Sequence, residues 1–288
     1  MKHTAITFLF AVAAALLAAA VPARAFNVTP LVVEIDAEPG QSYTGQLRVS
    51  GAGVDVESIK IYALDWDRNA EGVYRPNPAG ALPGTCSAWL SLNPTQINLA
   101  PDREEIVKYS FTVPEDAVGS YWSFIMVEGV ATPEKPDDNG HRQVVIGARL
   151  RYAIRFVVNI KEGALPEGKI SAMTVSAPEA ADAEHQDGFF VRVLFENTGN
   201  AYLKPIGYVD IRTIDGQSVA KAGIKEFYVF PGKSIWVDVY VDKLPGSGQY
   251  LGLAVLDYGG QALVAGEARF GIPFEPVPEA VPDQGGGQ

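Results

Sequence analysis

Groups able to do acid-base or nucleophilic chemistry are few in this sequence of 288 residues. Of its three histidines, His3 falls in the first 25 residues, His141 in a stretch rich in Pro, Asp and Gly, and His185 in an acidic, linker-like segment. A Ser-His-Asp or Cys-His system needs its base on a rigid scaffold, and none of these contexts reads as one. Cys86 is the sole cysteine, so no intrachain disulfide is possible. Beside Trp89 it reads as a small buried residue, the alternative being a thiol for intermolecular pairing. Zinc would need three or four Cys, His or acidic ligands at suitable spacing, and no such set occurs. Nor does a phosphate loop of the G-x-x-x-x-G-K type. Asp65, Asp67 and Asn69 alternate as the oxygen ligands of a calcium loop would, but the glycine at the sharp turn and the acid at the twelfth position are missing. A hairpin tip is the better reading. The acidic pairs Glu104 with Glu105 and Asp137 with Asp138 read as solvated charge. No catalytic residue, metal or cofactor is expected, and the chain reads as a non-enzyme.

The elements are more informative than the reactive groups. Residues 144–158, VVIGARLRYAIRFVV, are apolar at every even position, and Arg149, Arg151 and Arg155 all fall on odd ones. Period two is the signature of a β-strand. At roughly 3.3 Å per residue the run would span about 50 Å, far beyond the usual strand of about 5 or 6 residues. Such excess length suggests use by something outside its own domain.

Around this run the chain is β throughout. Strands are expected over residues 28–35, 43–49, 56–64, 106–113 and 121–127, then, after the run itself, over 170–175, 189–195, 207–213, 225–230, 234–241, 250–256 and 262–270. Asp215-Gly216 between two of them reads as a tight hairpin. Trp66, Trp89, Trp122 and Trp236 each lie in or beside an alternating run, which favours burial in a sandwich core over a carbohydrate platform. The fold expected is all-β: two immunoglobulin-like β-sandwich domains in tandem after a signal peptide.

The organisation follows from composition. Residues 1–25 carry Lys2, an apolar run and an Ala23-Arg24-Ala25 ending, the pattern of a cleaved secretory signal. No later run is apolar enough to span a membrane. Residues 26–160 form the first domain, 161–168 a Gly- and Pro-containing linker, 169–272 the second domain and 273–288 a disordered tail. The whole chain carries a net charge of −11, and loss of Lys2 and Arg24 with the signal makes the remainder more acidic still. That balance disfavours nucleic acid and anionic membrane surfaces as partners.

Three segments carry a family resemblance: Val28-Thr29-Pro30 opening the first domain, Ala88-Trp89-Leu90-Ser91-Leu92-Asn93-Pro94, and Leu99-Ala100-Pro101 before a strand. With the long strand that follows, residues 26–160 resemble the periplasmic pilus or fimbrial assembly chaperones of the PapD-like type. The resemblance implies that the long strand is a donor strand, lending Val144, Ile146, Ala148, Leu150 and Tyr152 to an incomplete subunit. The alternative is that the strand closes its own core, an assignment that suits Tyr152, Ile154 and Phe156 better than the earlier positions. The family also holds a subunit's terminal carboxylate with two basic residues in the cleft between its domains, one near the first strand and one on the donor strand. Arg151 or Arg155 is the candidate for the second. Residues 28–33 offer no Arg or Lys for the first, and the family's Tyr-Arg-Pro ending is replaced by Phe156-Val157-Val158-Asn159. Residues 169–272 resemble the generic immunoglobulin-like modules of bacterial surface proteins, on the turn Asn197-Thr198-Gly199-Asn200 and on Phe230-Pro231-Gly232.

The function that follows is a periplasmic chaperone-like protein binding secreted, pilin-like subunits through a donated strand, with an outer-membrane usher as a further implied partner. The alternative is a non-enzymatic structural or adhesive module of the cell envelope, on the cell surface instead of in the periplasm.

Overall fold

The computed structural model describes residues 26–53, 56–130, 149–178, 184–185, 187–243 and 245–274. The proposed signal, Asp137, Asp138, His141 and residues 275–288 lie outside them. The strand expected over 28–35 is two strands, β1 (Phe26–Thr29) and β2 (Val32–Ala37). Between them stands Pro30, which has no N–H for a ladder, and here the chain crosses from one sheet to the other. Then come β3 (Ser42–Gly51), β4 (Glu57–Arg68), β5 (Tyr74–Asn77), β6 (Ser91–Asn93), β7 (Gln96–Leu99), β8 (Glu104–Thr112), β9 (Gly119–Gly129) and β10 (Arg151–Ile160). Strands β5 to β7 are three or four residues long, too short for periodicity to reveal.

One sheet runs β1-β3-β8-β6; the other runs β2-β10-β9-β4-β5, with β7 also on β4. Their facing sides close over Leu47, Val49, Ile59, Ile61, Val107, Phe111, Ile125 and Val127. From β10 the even-numbered Ile154, Phe156, Val158 and Ile160 enter this core. Tyr109 and Phe111 meet the Phe156 ring edge-on at 5.3 and 5.4 Å. Cys86 is fully buried beside a short 3-10 turn, Ser87–Trp89, as its neighbours suggested. Asp65, also fully buried, accepts from Leu82 N at 2.9 Å and from Ser87 Oγ, pinning the loop that carries the turn.

The second half contains β11 (Gly168–Ser176), β12 (Phe189–Asn197), β13 (Ile206–Thr213), β14 (Ser218–Ile224), β15 (Ser234–Val241), β16 (Gly248–Asp257) and β17 (Val264–Ile272). Their sheets are β11-β12-β15 and β14-β13-β16-β17, packed over Phe189, Val191, Val193, Phe195, Val209, Ile211, Ala254 and Leu256. The molecule is thus all-β, with two sandwiches in tandem. Gly216, at φ 94°, forms the expected hairpin between β13 and β14. Phe274 packs on Phe189 and Phe270, so apolar burial continues past Ile272.

Residues 225–230 do not form the strand their composition suggests; β14 takes that place beside β13. Within the segment, Val229 exchanges backbone hydrogen bonds with Leu203, 2.9 and 3.1 Å. The reason is where its aromatic residues go. Tyr228 and Phe230 turn toward the first sandwich, where Phe230 is buried and Tyr228 partly so.

Candidate functional site

Among the described residues, strand β10 has two neighbours along only part of its length. With β9 it pairs antiparallel from Arg151 to Ile160; with β2 it pairs parallel only from Arg155, opposite Val32, onward. Among the described residues, the edge from Arg151 to Ile154 on the β2 side faces no strand. Arg155 N donates to Leu31 O at 3.1 Å, and Leu150 O accepts from Gly129 N on the β9 side, also at 3.1 Å. Backbone groups alternate in direction along a strand, so those of Arg151 and Ala153 point to the open edge. An unpaired edge of this kind is a template for another chain.

The side chains on this part of the chain divide as follows. Leu150 is 36 % exposed. Tyr152 is half-buried, its ring 5.4 Å from that of Phe26 and its hydroxyl donating to Phe26 O at 2.9 Å, so it is partly committed to its own domain. Val144, Ile146 and Ala148 lie outside the described residues.

The two candidate arginines have different surroundings. Arg151 Nη2 is 2.8 Å from Glu128 Oε1, which Arg149 also reaches at 3.3 Å, while Tyr62 donates to Glu128 Oε2 at 2.6 Å. Burial pushes the Glu128 carboxyl up, but the hydrogen bonds from Arg151 and Tyr62 outweigh it and hold the group at about 2. Arg151 is therefore already engaged. Arg155, four residues along on the same face, points into the cleft between the two sandwiches, with its guanidinium 3.8 Å over the ring of Tyr228. Its contact with Glu34 on β2 is a loose 3.9 Å. Glu34 is held more closely by Lys204, which comes from the second sandwich.

The cleft is lined by packed aromatic side chains from both halves. The outer face of the β9 and β10 sheet presents Trp122, Phe124, Met126 and Val157, and the second sandwich lays Phe230 on them. Trp122 and Phe230 stack at 4.7 Å with 9° between their planes. Trp122 is thus buried between the sandwiches and not within one, and Trp66, partly buried, packs on Phe124 of the same cluster at 4.6 Å. Trp236 lies on β15 under Arg192, 5.0 Å from ring to cation. The Asn197 to Asn200 turn, a turn motif by sequence, is also a joint. Ser120 N donates to Asn200 O at 2.7 Å, and the Asn200 side chain bonds Leu165 N at 2.6 Å and Gly163 O at 3.0 Å, joining β9, the connecting segment and the second sandwich. No residue pattern marked Asn200, Tyr202, Lys204 or Tyr228 as cleft residues, because their neighbours come from the other half of the chain. The alternation of β10 could have shown that the Arg155 face differs from the core face.

Asp65, Asp67 and Asn69 do not converge on a cation site. Asp65 is consumed by the loop, Asp67 pairs with Lys233 at 2.5 Å, and Asn69 closes the hairpin tip by accepting from Val73 N at 2.8 Å. Among the described residues no cluster of three metal-ligating side chains occurs. A hollow of about 550 Å³ lies at the far end of β2 and β10, lined by Asp36, Glu38, Tyr43, Lys161 and Glu162. Its lysine is already paired with Asp36 at 2.7 Å. No described helix is long and apolar enough to cross a membrane.

No protein-family model matches the sequence, and no curated protein matches it. Among solved structures, the chain is similar to the class 5 fimbriae chaperone CfaA, at 16 % identity and a TM-score of 0.45, over 84 % of this chain and 98 % of that one. It is similar to the CsuC-CsuE chaperone and tip adhesion subunit pre-assembly complex of Acinetobacter baumannii at 10 % identity and a TM-score of 0.42, over 84 % and 97 %. For the E. coli chaperone DraB the values are 15 %, 0.41, 85 % and 99 %.

Proposed function

We propose that this protein is a periplasmic chaperone-like protein that binds secreted, pilin-like subunits by offering them the open edge of β10. The observation that carries this reading is the half-paired strand. Arg151 and Ala153 present backbone donors and acceptors, and Leu150 presents an exposed apolar side chain, beside a stretch that continues the same alternation toward Val144. A subunit strand added there gains main-chain bonds along the edge, and alternate apolar side chains fill its core. Of the candidate partner-binding residues, Leu150 suits donation best, followed by Val144, Ile146 and Ala148 on the strength of their alternation; Tyr152 serves its own domain as well. Arg155, facing the cleft, is the better candidate for a subunit's terminal carboxylate, since Arg151 is held by Glu128. The residues 1–25 signal, the periplasm as compartment and an outer-membrane usher as second partner belong to the same reading.

The test is co-purification from the cell envelope with a small β-rich subunit, comparing wild type with Leu150→Asp. Capture should be lost while thermal stability stays within about 2 °C, because exposed positions contribute little to stability. Loss of stability together with capture would make Leu150 a core residue and end the reading. Failure of the wild type to hold any subunit would favour the structural or adhesive module instead.

A further inference from the structure

The cleft holds more positive than negative charge. Arg155 and Lys204 both face Glu34, and Arg68 lies 5.0 Å over the other tyrosine contact of Arg155, the ring of Tyr228. Two cations thus flank one carboxylate, with Arg68 on the far side of the tyrosine, in a protein whose net charge is −11. The cations are also incompletely used. Arg155 Nε and Tyr202 Oη are buried without a hydrogen-bond partner among the described residues. At 3.9 Å, Glu34 is too far from Arg155 for a hydrogen bond. A buried donor left unmade is costly, so the site has donors in reserve for a second anion. Glu34 sits on the strand that ends the open edge of β10, next to where a chain lying on that edge would finish.

We propose that Glu34 is a built-in occupant of this cleft: its carboxylate neutralises Lys204 and Arg155 in the protein by itself, and must give way when a carboxylate from outside binds them. The inference rests on the reading of Arg155 as the residue that meets a subunit's chain end, and adds two parts to it. Lys204, supplied by the second sandwich, is the other basic residue that residues 28–33 lack. Glu34 sets the affinity, because any incoming carboxylate competes with it for the same two cations. A planar guanidinium seated on a tyrosine face is well suited to take a carboxylate through two parallel bonds. The exchange would also tie binding to the relation between the sandwiches, since Glu34 and Lys204 belong to different ones.

The experiment is titration of the purified protein with N-acetylglycine and, separately, with N-acetylglycinamide, following the Nε–H signal of Arg155 by nitrogen-edited NMR. N-acetylglycine should move that signal and the amide should not. In Glu34→Gln, whose shape is nearly unchanged, the carboxylate should bind about fivefold more tightly, the scale of one partly exposed ion pair. Adding Lys204→Gln to that variant should remove the gain. Equal affinity in wild type and Glu34→Gln, or a response to the amide as large as to the acid, would overturn the proposal. Because N-acetylglycine has no strand to add, its binding does not depend on the edge of β10. Tighter carboxylate binding in Glu34→Gln alongside failure to capture any subunit would therefore refute strand donation and leave the role of Glu34 standing.

Discussion

Glu128 and Cys86 show opposite consequences of burial for a single side chain. The Glu128 carboxyl, held at about 2 by Arg151 and Tyr62 against the opposing effect of burial, lies below the roughly 4.3 of an unfolded glutamate. A depressed carboxyl stabilises the fold fully above its unfolded pKa, and that contribution disappears as pH falls toward the folded value. Urea midpoints of the wild type should therefore fall between about pH 4.3 and about pH 2, and fall less steeply in Glu128→Gln; parallel curves would show that the cluster contributes nothing. Burial pushes the Cys86 thiol up to about 12, against a weaker opposing contact with Ser123. A thiol so held is neither nucleophilic nor reachable. Native protein should leave iodoacetamide unreacted at about pH 8 and take up one equivalent in denaturant, which also disposes of Cys86 as an intermolecular bridge.

Strand β10 is the element on which the proposed function turns, because its two edges and two faces have four different surroundings. One edge is paired throughout with β9; among the described residues the other is closed by β2 only from Arg155 onward. One face enters the core, and the other passes beneath the second sandwich. Amide exchange should resolve this along the strand. The amides of Arg151 and Ala153 should exchange quickly in the protein alone, while those of Val157 and Asn159, which face β2, should be slow. Binding of a subunit strand should slow Arg151 and Ala153 selectively; unchanged exchange there would mean that the partner docks elsewhere. Ile154→Asp makes the contrasting case to Leu150→Asp, since it places a charge at a fully buried position and should prevent folding.

At the scale of the whole molecule, the two sandwiches share an apolar seam and a polar joint. Phe230 is 2 % exposed, and its main contact, Trp122, belongs to the other sandwich. Removing a buried aromatic ring costs about 3–5 kcal/mol. Phe230→Ala should accordingly convert one unfolding transition into two, because the seam is what couples the halves. A single transition shifted to lower denaturant would instead place the loss within the second sandwich alone. Asn200→Ala should weaken the same coupling at the joint by removing the side-chain bonds to Leu165 and Gly163.

Local patterning by itself determined the strand character of the chain, the alternation that sends Ile154, Phe156 and Val158 inward, the Asp215-Gly216 hairpin and the burial of Cys86. These follow from propensities and period-two placement, which act over a few residues. Tertiary structure alone decided what the other face of each strand meets. It split the first strand at Pro30, turned residues 225–230 out of their sheet, put Trp122 between the sandwiches, and separated Arg151, spent on Glu128, from Arg155 in the cleft. The two arginines are indistinguishable in sequence, being odd members of one alternating run. They differ because Glu128 is brought beside one by strand pairing, whereas Glu34, Tyr228 and Lys204 come to the other from β2 and from the second sandwich. Such long-range juxtapositions carry no local signature, and only the packed chain reveals them.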